Sequence, residues 1–69
     1  MKVQNEILEL VKKNTDVRRE LARQLKLSEA SISRILRENK ENGELTKAVA
    51  IEVIATGLKM PQGVILESI

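Results

Sequence analysis

Apolar residues recur along this chain at the three-and-four spacing of amphipathic helices, and short polar breaks interrupt them. Val3, Ile7, Leu8, Leu10 and Val11 predict a first helix over residues 3–13, with Glu6 and Glu9 early and Lys12 and Lys13 late, the order a helix dipole favours. Asn14-Thr15-Asp16 breaks the pattern, and Thr15 or Asp16 can cap the next helix. Leu21, Ala22 and Leu25 give that second helix, residues 17–25, its core face. Lys26-Leu27-Ser28 forms a turn that Leu27 plugs, and Ser28 suits the N-cap of a third helix over 29–37, whose inner face is Ile32, Ile35 and Leu36.

The polar run 38–44, with its Asn-Gly pair, predicts a surface loop. A fourth helix begins between residues 44 and 46, capped by Gly43 or Thr46, and ends near Thr56 with Gly57 in the left-handed C-terminal position. Its interior is apolar nearly all round, which places it at the centre of the core with a partner subunit on the remaining side. Pro61 opens the last segment, in which Val64, Ile65, Leu66 and Ile69 suit a short helix or a short strand. The expected fold is all-α: a compact bundle of about five short helices, in a single domain spanning residues 1–69, with residues 18–37 as a central helix-turn-helix. A chain of 69 residues buries only about 60% of the surface it exposes when unfolded, so stability is marginal.

Charge changes this picture more than composition does. The net charge is only +2, but residues 12–37 hold eight basic against three acidic side chains, a local +5, while residues 1–11 sum to −1 and residues 38–69 to −2. A basic surface confined to one motif points to a polyanion. With no aromatic residue there is no stacking platform for single-stranded nucleic acid. With no cysteine and no histidine, no disulfide and no ordinary zinc site is available, and no cofactor is expected. The longest apolar run, 48–55, is interrupted by Glu52 and too short to span a bilayer, and the acidic N-terminus does not resemble a signal peptide. A cytoplasmic, soluble protein with no membrane association is the expectation. Ser28, Ser31 and Ser33 lack a histidine to activate them, and Glu41 and Glu44 lie in a polar loop where nothing would perturb them, so no catalysis and no small-molecule substrate are expected.

The segment VRRELARQLKLSEASISRILRE, with Leu21-Ala22, Leu25, Leu27-Ser28, Ile32-Ser33 and Ile35, resembles the helix-turn-helix of the phage repressor and Cro superfamily, the lambda repressor-like proteins. A second block, KAVAIEVIATGLKMPQGVI (47–65), is similar to the stretch C-terminal to the motif in small Cro-like and YdaS-type relatives. Two departures stand out: Lys26 occupies the turn position usually held by glycine, and the charged loop 38–44 replaces a compact turn.

The resemblance implies a transcriptional regulator, most simply a repressor, that binds double-stranded DNA with the third helix in the major groove. Arg34 is the first candidate for a base contact, its fork matching guanine O6 and N7. Glu29 can accept from a cytosine amino group, Ala30 can pack on a thymine methyl, and Ser31 and Ser33 are short adaptable partners. Arg18, Arg19, Ser28, Arg37 and Lys40 are placed to grip phosphates. The competing reading of Arg34 is an ion pair with Glu38; that of Arg18 and Arg19 is ordinary solvated charge. One recognition helix makes few contacts, so a homodimer on a two-fold-symmetric operator is expected, with Val53, Ile54, Leu58, Val64 and Ile65 as its surface. The alternative is a helical protein-interaction module, antitoxin- or antirepressor-like, without operator binding.

Overall fold

The long bundle axis of a computed structural model is 31 Å, and the structure describes residues 1–67. Four α-helices carry it: α1 (Asn5–Lys13), α2 (Thr15–Leu25), α3 (Glu29–Glu38) and α4 (Ala48–Leu58). Single 3-10 turns stand before and after α4, at Glu44–Thr46 and Gln62–Val64. The described chain is therefore all-α, as expected, but with four α-helices rather than five.

Side-chain caps separate the first three helices. Asn14 ends α1 and caps α2, its Oδ1 accepting from the Val17 N–H at 3.1 Å. The cap falls on Asn14 rather than on Thr15 or Asp16, which are already helical. Inward from these ends lie Ile7, Leu8 and Val11 of α1, Val17 and Leu21 of α2, and Ile32 and Leu36 of α3, all buried. Leu10, expected on the same face as these, is 47% exposed.

Helix α4 is central. It packs against α1, α2 and both 3-10 turns, and Ala50, Ile54 and Ala55 have almost no exposed surface. It starts later than expected because residues 44–46 close on themselves as a separate turn, in which the Thr46 hydroxyl donates to the Gly43 carbonyl at 2.7 Å. It also ends later than expected. The left-handed residue is Lys59, with φ 56°, and Gly57 is the penultimate residue of the helix. The reason lies across the interface: a Cβ on Gly57 would overlap the Val17 Cγ2 atom of α2. Gly57 is there to let two helices approach, not to turn the backbone.

The C-terminal segment departs most from expectation. After the turn at Gln62–Val64 the chain runs alongside residues 2–4, with Val3 and Leu66 forming an antiparallel bridge. Gln4 N–H donates to Ile65 O at 3.0 Å and Glu67 N–H to Lys2 O at 2.9 Å, while the Gln4 amide reaches Val64 O at 2.7 Å. The β-prone Val-Ile-Leu run thus satisfies backbone groups left open where α1 starts late. Val3 and Ile65, both fully buried, close the core beneath this pairing. Ile69, assigned to the same segment, lies outside the described residues.

The polar loop after α3 is likewise more anchored than its composition suggests. Asn39 is left-handed at φ 41° and 9% exposed, and its amide nitrogen donates to the Val3 carbonyl at 3.0 Å. Asn42 N–H donates to the Met1 carbonyl at 2.7 Å.

Helix propensity alone says that Gly57→Ala should stabilise by about 1 kcal/mol. The contact with stiff, buried Val17 reverses the sign. We expect Gly57→Ala to destabilise by about 1–2 kcal/mol, lowering Tm by roughly 4–8 °C per kcal/mol in a thermal melt. The same substitution in a Val17→Ala background should cost measurably less, and a gain in Tm for the single variant would refute the close-approach role.

Candidate nucleic-acid interface

The basic stretch is built on α2, α3 and the three residues between them. Helix α2 ends at Lys26, which is left-handed with φ 57° and ψ 44°. Its N–H and that of Leu27 both reach the Ala22 carbonyl, the latter at 3.0 Å, so the last turn is closed without glycine. The left-handed backbone costs about 1 kcal/mol at a residue with a Cβ. Leu27 offsets this by packing on the core. Ser28 then caps α3, its Oγ accepting from the Ser31 N–H at 3.1 Å while its carbonyl accepts from Ile32 N–H at 3.0 Å. Lys59-Met60 at the end of α4 repeats the arrangement, with Met60 N–H on the Ala55 carbonyl at 3.0 Å.

With Ile32 and Leu36 turned inward, the spacing of α3 leaves Ala30, Arg34 and Arg37 as its outward stripe, flanked by Ser33 and Glu38. All five are exposed, as is Glu29 in the first turn, where a carboxylate suits the helix dipole. Ser31 differs from the other expected base-contacting residues. It is half-buried, and its hydroxyl accepts from the Ser28 hydroxyl at 3.1 Å, so it belongs to the cap.

The guanidinium groups divide into used and unused. Arg23 is committed to Glu20 at 2.6 Å, and with Gln24 it holds the Glu20 carboxyl below its ordinary range. Arg34 and Arg37 have no carboxylate partner among the described residues. The Arg34–Glu38 pair expected as the competing reading is absent among those ion pairs; Glu38 instead lies 3.9 Å from the Lys40 ammonium. Arg19 is exposed and also without an ion pair there, while Arg18 is half-buried, donating to Thr15 Oγ1 at 3.2 Å. The Arg18 Nε is buried without a partner.

Arg34, Lys40 and Lys47 line one hollow of about 400 Å³ together with Leu27, Ile35 and Leu45, and Glu38 and Glu44 line it as well. Arg18 and Arg19 do not line it. Lys47, 3.0 Å from Glu44, is not among the expected phosphate contacts. Its position just before α4 is visible in the sequence only once the helix start is placed correctly. Among the described residues no group of histidine, cysteine or carboxylate side chains could hold a metal ion, and no helix is long and apolar enough to cross a membrane.

The residues expected at a dimer surface divide as well. Ile54 and Ile65 are fully buried within the chain and offer no surface, because the central helix and the closing segment use them in the core. Val53 and Leu58 are half-buried, and Val64 is 43% exposed. No protein-family model, no curated protein and no solved structure matches this chain.

The connection between α2 and α3 gives two opposite expectations. Ser28→Ala removes the cap and should cost about 1 kcal/mol, whereas Lys26→Gly relieves the left-handed strain and should stabilise by up to about 1 kcal/mol. Denaturant titrations of both variants check this, and a destabilised Lys26→Gly would show that the lysine side chain contributes more than its backbone costs.

Proposed function

We propose that this protein is a sequence-specific double-stranded DNA-binding regulator of the phage repressor and Cro-like, lambda repressor-like type. Residues 18–37 act as its helix-turn-helix, with α3 as the recognition helix in the major groove. The reading rests on one observation above others: Arg34 and Arg37 stand on the outward face of α3, exposed and without a carboxylate partner among the described residues. Two uncommitted guanidiniums on one helix face are suited to guanine edges and phosphate oxygens. The resemblance of residues 17–65 to Cro-like proteins supports the same reading.

Arg34, Glu29, Ala30 and Ser33 read base edges, while Ser31 serves the cap of α3. Arg18, Arg19, Arg37 and Lys40 hold phosphates and set register, whereas the Ser28 hydroxyl, expected with them, is committed to the cap of α3. The protein represses by occluding a promoter as a homodimer on a palindromic operator, with half-sites about one helical turn apart. Leu58 and Val64 provide the accessible part of the dimer surface; Val53, expected with them, lines the hollow between α2 and α4. Neither a cofactor nor a small-molecule substrate takes part.

Selection of bound sequences from a random duplex pool should return a palindrome, and affinity should fall steeply with salt. Arg34→Ala should lose about 1–3 kcal/mol of discrimination at one base pair. Arg19→Ala should weaken all duplexes alike and reduce the salt slope by about 1. If Arg34→Ala left affinity and selectivity unchanged, α3 would not be the recognition helix. Absence of any duplex binding would turn the reading to the interaction module. Sedimentation as a monomer up to millimolar concentration would remove the dimer.

A further inference from the structure

A hollow of about 520 Å³ lies between α2 and α4, and no residue of α3 lines it. Val49 and Val53 of α4, four residues apart, and Val17 of α2 form its floor. Gly57 lines the far end at the same spacing, where Val17 rests on its backbone. From Val49 to Gly57 the stripe is about 12 Å long, the length of two helical turns. Asp16 and Glu20 rise along the α2 edge and Glu52 along the α4 edge, and no lysine or arginine lines the hollow. Val49 is 36% exposed here, an apolar side chain facing out from a carboxylate-rimmed trough.

We propose that this groove is a docking site for a basic amphipathic helix of a partner protein, about two turns of it in contact. Apolar side chains at i, i+3 or i+4 and i+7 would seat on the valines, with lysine or arginine on both flanks against Asp16 and Glu52, Glu20 being already tied to Arg23. Charge selects this occupant. Two copies of the chain joined groove to groove would bring two sets of carboxylates together. The other exposed large apolar residues do not supply a basic segment either. Leu10 has Glu6 one turn before it and Lys13 one turn after it on α1, Met1 and Val64 lie outside the α-helices, and the outward stripe of α3 carries nothing apolar larger than Ala30. The groove shares no residue with α3, so a partner held here leaves that helix uncovered. The site stands whether or not the protein binds DNA.

The test uses the whole chain and a short labelled helical peptide with a leucine stripe and lysine and arginine flanks. A second peptide keeps the stripe and carries glutamate flanks. Fluorescence anisotropy should show binding of the basic peptide and little of the acidic one. Glu52→Lys, at an exposed mid-helix position, should weaken the basic peptide about tenfold while leaving Tm unchanged. Val49→Ser should weaken it independently of salt. Amide shifts on titration should centre on Val17, Val49 and Val53. Equal affinity for the two peptides, shifts centred on α3, or an unaltered affinity in Glu52→Lys would overturn the proposal. Concentration-dependent shifts at Val49 and Val53 without peptide would assign the groove to a second copy and overturn it equally.

Discussion

Val17 resting on the bare backbone of Gly57 is the contact on which the arrangement of the other elements depends. It sets how closely α2 approaches the central helix, and α2 in turn positions the Lys26-Leu27-Ser28 connection and the start of α3. A side chain at residue 57 would push α2 outward and carry that connection with it. The interior of so small a chain has no spare volume to absorb such a shift, since cores pack at near-crystalline density. The orientation of α3 therefore depends on a contact to which α3 itself contributes nothing.

The electrostatic pattern depends on which side chains are already satisfied. Along α2, Glu20, Arg23 and Gln24 bond to one another and present little free charge of either sign. Helix α3 makes no comparable internal pairs, so Arg34 and Arg37 remain available. The +5 of residues 12–37 comes mostly from Lys12, Lys13, Lys26 and the α2 arginines; α3 itself, with Glu29 and Glu38 against Arg34 and Arg37, is formally neutral. The acidic residues that balance the chain include Asp16 and Glu52, both on the trough between α2 and α4. Among the described residues, a near-neutral protein thus keeps unpaired arginines on α3 and unpaired carboxylates beside the trough.

Much of the architecture is legible in the residues themselves. The spacing of Leu21, Ile32 and Leu36 locates the inner faces of α2 and α3, and the apolar girth of α4 places it centrally. The features that escape such a reading depend on contacts distant in sequence. Gly57 resembles a helix stop because a lone glycine after an apolar run is one locally; only Val17, forty residues earlier, shows its role. Asn39 has the look of a solvated loop residue until the Val3 carbonyl supplies its partner. Ile54 and Ile65 pass for surplus apolar surface because nothing in their own segment covers them. Ser31 suits a base contact by helical spacing, which does not reveal that Ser28 occupies its hydroxyl.

The pairing of residues 2–4 with 64–67 has a kinetic meaning. The contacts within and between successive helices close short loops, whereas the Val3–Leu66 bridge joins positions at opposite ends of the described chain. Such a closure adds loop entropy that only its own few hydrogen bonds and two buried side chains offset. Long-range pairings of this kind close late in folding and open ahead of global unfolding as a rule. Opening there uncovers Val3 and Ile65 and releases the Asn39 amide from the Val3 carbonyl. The loop after α3 then loses its anchor, so the mobility of one edge of the basic face is set by how firmly the ends of the chain are held together.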